Sequence, residues 1–357
     1  MSDSKRADSS LAVANAAQAV TQEAIYTRRV LRFTLGIGLA VAVSAIWAWP
    51  LAFIVPVFVA KFLVDRQEPT IQTVYELLIS MICTIGLAWL VSFGPTHYPM
   101  VLLPLLAMMM LWGYYLFSDP KWNFFATIFI VATLLLPYLS LLQPGAAILV
   151  GVGLSFSGVV AVAIFALLHA LLPDLSPKKE QLADAVQSHD ERTHEAFRAL
   201  IIAFPVICFF YFLEISGALL TMIFIAILSL QAAGAKSVKV SLFLLVTNGI
   251  GGALAVVFYN LLTIVPEVQF YIGMSMLAAL FFGQKIYADP AKAPLYAGIL
   301  SALLVVVGST ASSTDKDVAV NFYLRILQLF LVGVYMIFAS FFLESRDWKF
   351  LKKRNSL

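Results

Sequence analysis

The sequence predicts an all-α polytopic membrane protein of about 12 transmembrane helices, arranged as two parallel six-helix repeats. Three observations carry this. Hydrophobic residues make up 61% of the chain and charged residues 12%, with a mean hydropathy of +0.92, whereas soluble domains carry about a quarter charged residues. The apolar residues come in long runs without the two-residue alternation of a barrel strand, and only helices and closed barrels satisfy their backbone in lipid. Lys and Arg fall almost wholly into alternate connections: Lys5, Arg6, Arg28, Arg29 and Arg32, then Lys61 and Arg66, Lys121, Lys178, Lys179, Arg192 and Arg198, Lys236 and Lys239, Lys285 and Lys292, and a closing cluster from Arg346 to Arg354. The intervening connections carry almost none; Lys316, between two aspartates, and Arg325, inside an apolar run, are the exceptions. This is the positive-inside pattern of a chain with both termini in the cytoplasm.

In order, the runs are Phe33–Trp49, Leu51–Val64, Val74–Phe93, Met100–Ser118, Asn123–Leu142, Ala146–Leu172, Ala199–Ile215, Ala218–Leu230, Val240–Ile264, Phe270–Tyr287, Ala293–Ser312 and Val318–Leu343. Most have the roughly 20 residues a helix needs to cross a bilayer. The second and eighth are shorter, and each follows its predecessor by a tight turn. Two real spans in a locally thinned site are the expected form, with re-entrant hairpins the alternative. A polar, Ala-rich segment precedes the first run with no apolar core ending in a cleavage site, so the first span is expected to direct insertion. Residues 10–27 are compatible with a surface helix.

The short runs occupy corresponding places. Displacing the chain by about 166 residues puts Arg32 on Arg198 and Gly86 on Gly252. A little further on, Phe117-Ser118-Asp119-Pro120 falls on Tyr287-Ala288-Asp289-Pro290. The expected organisation is a cytoplasmic segment (1–27), a first six-helix repeat (28–172), a cytoplasmic linker (173–197), a second repeat (198–343) and a basic cytoplasmic tail (344–357). Short segments at corresponding places of two halves point to a transport site at the repeat interface.

Arg28-Arg29-Val30-Leu31-Arg32 before a Gly/Ala-rich span, Trp49-Pro50-Leu51-Ala52 opening the second run, Glu68-Pro69-Thr70, and Gly86 in the third span form one cadence. Gly217-Ala218-Leu219-Leu220-Thr221 and Asn248-Gly249-Ile250-Gly251-Gly252 repeat it in the second half. The chain thereby resembles the fusaric acid resistance (FUSC) and aromatic acid exporter superfamily, in particular short two-halved bacterial members without a large cytosolic domain. That resemblance implies an inner-membrane exporter of aromatic or other amphipathic organic acids, working with a periplasmic membrane-fusion adaptor and an outer-membrane channel.

The candidate substrate-binding residues are Arg325, Asn321, Gln328, Asn248, Lys61 and Trp49. Asn321, Arg325 and Gln328 share one helical face, and an intramembrane charge is costly and by default functional; snorkelling or a structural pair with Glu214 is the alternative. Lys61 has Asp65 four residues on, so an i,i+4 pair competes with a role in attracting an anion. Asn248, in a glycine-rich stretch, opens either an unwound turn or a close helix contact. Trp49 and Trp112 either stack an aromatic substrate or belong to the interfacial belt. Glu214, Asp119 and Asp289 are the candidates for proton coupling, although an Asp-Pro pair is also an ordinary helix start. Gly151, Ser155 and Gly158 make a small-residue face suited to close packing.

His97, His169, His189 and His194 share no metal-ligand spacing, Cys83 and Cys208 sit inside apolar runs, and no nucleotide-binding or nucleophile motif occurs. No cofactor, no nucleic acid and no enzymatic activity are expected. A proton-driven exporter of an organic anion is the leading reading. An accessory subunit of an envelope complex, a membrane enzyme and an anion channel are the alternatives, and homo-oligomerisation is left open.

Overall fold

A computed structural model describes residues 2–66, 69–92, 98–119, 121–143, 145–174, 188–213 and 238–311, with single positions between 225 and 230 and between 323 and 342. Side chains before Gln22 and between 238 and 245 are not described. Arg325, Asn321, Gln328 and Glu214 lie outside the described residues, as do most of the eighth and twelfth runs, the linker at 175–187 and the tail.

The described chain is all-helical. Helix α1 spans Ser2–Trp47, a single 3-10 turn Ala52–Ile54 leads into α2 (Val55–Asp65), and α3 (Ile71–Ser92), α4 (Pro99–Phe117), α5 (Asn123–Leu142) and α6 (Ala146–Leu171) complete the first half. Then come α7 (His189–Leu213), α8 (Val238–Ile264), α9 (Val268–Ala288) and α10 (Ala293–Ala311). Eight of these helices are long and apolar enough to cross a membrane; α2 and α9 are not among them. Residues 10–27, compatible in sequence with a surface helix, are helical and continuous with the first span. Part of the expected linker, from His189 on, is likewise the start of α7.

Helix α3 shows what solvent surrounds the bundle. Its face Ile71, Tyr75, Leu78, Ile82 and Trp89 is exposed, while Thr73, Glu76, Ser80 and Thr84 on the other face are buried. A helix in water does the reverse. Val246, Ile250, Leu254, Val257 and Leu261 make a similar exposed apolar stripe on α8. Such inverted faces suit hydrocarbon, in which an apolar side chain loses nothing by exposure and a polar one must turn inward.

The tight turn between the first two runs is seated on α6. Pro50 bars helical geometry at Trp49, and Ala48 and Leu51 take left-handed backbone, with φ of 42° and 63°. Ser44 Oγ donates to the Ala52 carbonyl (2.8 Å), Ser157 Oγ to the Leu51 carbonyl (3.2 Å), and the Trp49 indole N–H to Ser157 Oγ (2.9 Å). These bonds supply the turn with partners that lipid would not. Contact is so close at Gly153 that an added Cβ would stand 2.3 Å from the Pro50 carbonyl oxygen. Gly153 and Ser157 lie about 10 and 16 Å along α6 from its first residue at 1.5 Å per residue, whereas Phe53 packs against Gly308, near the end of α10.

Helix α2 then returns to the end from which α1 came. It is only 11 residues long and buried on every side from Val55 to Ala60, the property of a helix surrounded by others, with Lys61 and Asp65 on one stripe of its last turns. Helices α1, α6 and α10 enclose it, and the Tyr287 hydroxyl of α9 donates to its Leu63 carbonyl at 2.9 Å. Parallel to α3 on its inner side runs α5, buried along nearly its whole length.

Gly153→Ala is expected to unseat the hairpin and lower the thermal midpoint of the detergent-solubilised protein. Gly249→Ala, where an added Cβ meets nothing within 4 Å, is expected to leave the midpoint unchanged or raise it slightly, as read by tryptophan fluorescence melting.

Candidate functional site

The described basic residues gather at one end of the bundle, and four arginines there, Arg29, Arg32, Arg66 and Arg192, are paired with carboxylates. Arg29 donates through Nε (3.2 Å) and Nη2 (3.0 Å) to Asp174, just past the end of α6; Arg32 Nη2 reaches the same oxygen at 3.5 Å and its Nη1 the Leu172 carbonyl at 3.2 Å. Arg32 and Asp174 side chains are 4% and 5% exposed, so this pair is buried and ties α1 to the carbonyl-rich end of α6, where cations are favoured. Arg192 of α7 pairs with Asp119 at 3.1 Å and lies 5.9 Å from the centre of the Tyr115 ring.

The third pair holds the most buried carboxylate. Arg66, following α2, donates from Nη2 to both carboxylate oxygens of Glu76 at 2.9 Å and from Nη1 to Thr73 Oγ1 at 2.5 Å. The Glu76 side chain is 0% exposed although it lies within a candidate span. The Phe125 backbone N–H of α5 and the Gln72 amide lie near enough to favour its charged form, and the Ser80 hydroxyl donates to the Glu76 carbonyl. A carboxylate with this much burial is maintained only by such partners.

Between α3, α4 and α7 lies a cavity of ≈ 760 Å³. It exists because α3 and α4, neighbours in sequence, hardly touch. Cys83, Leu87 and Leu90 of α3, Met108 and Trp112 of α4 and Phe129 of α5 give it apolar and aromatic walls, while Tyr115, His189 and Thr193 cluster at its basic end. Trp112 is held edge-on by Phe129, ring centres 5.3 Å apart, and His189 lies 5.3 Å from Tyr115. Glu76 and Cys83 are seven residues apart, hence on one stripe of α3, so the carboxylate sits about two turns below the cavity wall.

Three further buried hydroxyls, Thr84 of α3, Thr133 of α5 and Ser155 of α6, are 0%, 0% and 3% exposed. None has a hydrogen-bond partner among the described residues, a state that costs about 1–3 kcal/mol each when it is left uncompensated.

The sequence-derived candidates fare unequally. Lys61 pairs with Asp65 at 2.9 Å and stands 5.8 Å from the Phe117 ring centre, which is the i,i+4 arrangement. Trp49 is occupied in seating the hairpin turn on α6 and does not line the cavity. Helix α8 runs unbroken through Asn248, and Gly251 meets Ala302 and the Ile299 carbonyl of α10, so this stretch makes a close helix contact and no unwound turn. Asp119 and Asp289 form like turns, Oδ1 accepting from the N–H two residues on at 3.0 and 3.1 Å. The hydrogen bond from Lys292 holds the exposed Asp289 carboxyl below its usual range, so it stays charged at neutral pH. No two of Asn248, Lys61, Trp49, Asp119 and Asp289 share the cavity.

Glu76, Arg66 and the cavity are what the sequence reading missed. One signal was available: Glu76 is the only acid in the third apolar run.

Among known proteins, the family described as "Protein of unknown function (DUF2955)" matches residues 29–168, a stretch from α1 through α6 that contains Arg66, Glu76 and most of the cavity. No curated protein and no solved structure matches the chain.

Asp174→Asn removes the anion shared by Arg29 and Arg32 and leaves Arg32 buried without its counter-charge, a loss of about 3–5 kcal/mol for a buried pair. A clear drop in thermal midpoint is expected in detergent, and Lys61→Met, which breaks only a half-exposed pair, is expected to leave it nearly unchanged.

Proposed function

We propose that this protein is a proton-driven secondary transporter that exports aromatic or other amphipathic organic anions across the bacterial inner membrane. The observation that carries this reading is the cavity between α3, α4 and α7, apolar and aromatic along its length and polar only toward the basic end. Pockets of about 300–1,000 Å³ with apolar walls and a few convergent polar groups are the usual form of a small-molecule site. A molecule with an aromatic body and an anionic head matches it in one orientation, the head toward Tyr115, His189 and Thr193.

The buried Glu76 supports proton coupling. Ionisable groups inside a span commonly mark ion or proton pathways, and protonating Glu76 would release Arg66 from its partner, changing the contact between α2 and α3 beneath the cavity. The resemblance to the FUSC and aromatic acid exporter superfamily supports the substrate class, and with it a periplasmic adaptor and an outer-membrane channel as partners. The positive-inside pattern supports a basic end, and both termini, in the cytoplasm. The matching Asp119 and Asp289 turns support two repeats of six segments.

In proteoliposomes, a pH gradient is expected to drive uptake of a radiolabelled hydroxybenzoate by the wild-type protein. Glu76→Gln is expected to abolish gradient-driven accumulation while retaining substrate exchange at equal pH, and Trp112→Ala to weaken both. Absence of any hydroxybenzoate flux by a folded, inserted wild-type protein overturns the substrate assignment; undiminished accumulation by Glu76→Gln overturns the coupling.

A further inference from the structure

The register between α3 and α5 brings two of the unpartnered hydroxyls to one level. Gln72 Nε2 donates to the Lys121 carbonyl, Ser140 Oγ donates to the Val91 carbonyl, and the Phe125 N–H lies near Glu76. Each contact joins residues 49 apart in number, so the two parallel helices keep one register over their length. Thr84 and Thr133 are also 49 apart. Thr84 lies seven residues before Val91 and Thr133 seven before Ser140, so each shares the stripe of a residue in contact across the seam.

Helix α6 brings the third. An added Cβ on Gly158 would touch Leu77 of α3 and Ile128 of α5; on Gly151, Ala88 and Leu136. Ser155 lies between these glycines on their face, within about one helical turn of the level of Thr84 and Thr133. The three hydroxyls thus converge where α3, α5 and α6 meet, separated enough that none bonds another.

We propose that Thr84, Thr133 and Ser155 hold a buried water molecule, and that this water is a stepping stone by which Glu76 exchanges its proton. A buried water makes about three hydrogen bonds to otherwise unsatisfied polar groups, and this site offers three. A cation is the poorer occupant. Three neutral hydroxyls are a sparse ligand set, and Glu76, the nearest carboxylate on α3, is two turns away and already neutralised by Arg66. From the water the way down α3 passes Ser80, one turn from both Thr84 and Glu76. The Ser80 hydroxyl, turning from the Glu76 main-chain carbonyl, gives its proton to a Glu76 carboxylate oxygen and takes one from the water, which keeps the proton that arrived on it; an O–H bond forms on Glu76 and its ion pair with Arg66 is released. The groups around Glu76 are Arg66 after α2, Gln72 and Thr73 of α3 and the Phe125 amide of α5. Helix α6 carries only His169 as a titratable side chain, near its basic end. The use of the proton rests on the transport reading, but the test does not, since it needs no substrate.

The full-length protein in lipid bilayers, labelled at Thr, Ser and Leu, is examined by water-edited solid-state NMR, and Glu76 protonation is followed by infrared spectroscopy after a pH jump. Signals of Thr84, Thr133 and Ser155 are expected to receive magnetisation from water while Leu134 and Leu136, buried at similar depth on α5, stay dry. Thr84→Val, which keeps the shape, and Ser155→Ala, which keeps the small face, are each expected to remove the transfer at the remaining hydroxyls. Each is also expected to slow Glu76 protonation several-fold with its midpoint unmoved. Dry hydroxyls in the wild type overturn the proposal. Unchanged protonation rates in both folded variants overturn the relay, and transfer that vanishes when sodium is replaced by choline overturns water in favour of a cation. Ser155→Ala serves alone if Thr84→Val does not fold.

Discussion

A guanidinium at the edge of an apolar slab has to find a fixed anion, and the basic end of this bundle is organised by that requirement. Arg32 meets Asp174, Arg66 meets Glu76 and Arg192 meets Asp119. Each pair joins different elements: α1 to the end of α6, the end of α2 to α3, and α7 to the turn between α4 and α5. The basic residues that set the orientation of a membrane protein therefore also connect its helices here. Removing one partner of such a buried pair strands the other, which is why these contacts constrain the fold more than their net stabilisation suggests.

With the basic end held, α2 fills the middle of the described bundle. Its turn is possible because α6 offers Gly153 to the Pro50 carbonyl and Ser157 to Trp49 and Leu51. Helix α3 is displaced from α4 while packing closely on α5 and α6, and one helix thereby carries two environments. Its inner face is a polar seam with Glu76, Ser80 and Thr84; the adjoining stripe lines an apolar cavity. A cavity and an ionisable group that share one helix are mechanically linked, since any movement of α3 that answers the charge on Glu76 also alters the cavity wall.

Much of the fold was legible in the sequence. Ten of the apolar runs coincide with described helices or, for the second run, with a 3-10 turn and a short helix, because run length and polarity are local properties that lipid reads directly. The gathering of Lys and Arg at one end was legible for the same reason. The site was less so. Lys61 and Asp119 drew attention as charges near run ends, yet both are engaged in local or interhelical pairs. Trp49 drew attention as an aromatic at a short run, but its indole N–H is taken by Ser157, over a hundred residues away. Glu76 went unremarked since it stands only a few residues inside its run, where a sequence cannot distinguish a snorkelling side chain from one turned into the bundle.

What the sequence alone determined is the solvent and the spacing: hydrocarbon around the chain, helices of membrane length, and a basic end. These follow from residue-by-residue transfer preferences, which need no neighbour. Tertiary structure decided which face of α3 turns inward, which helices leave room for a cavity, and that Thr84, Thr133 and Ser155 share one level. Those outcomes depend on the rotation and register of helices distant in sequence. They are set by glycines admitting close approach and by arginines finding carboxylates, a joint optimum that no single segment encodes.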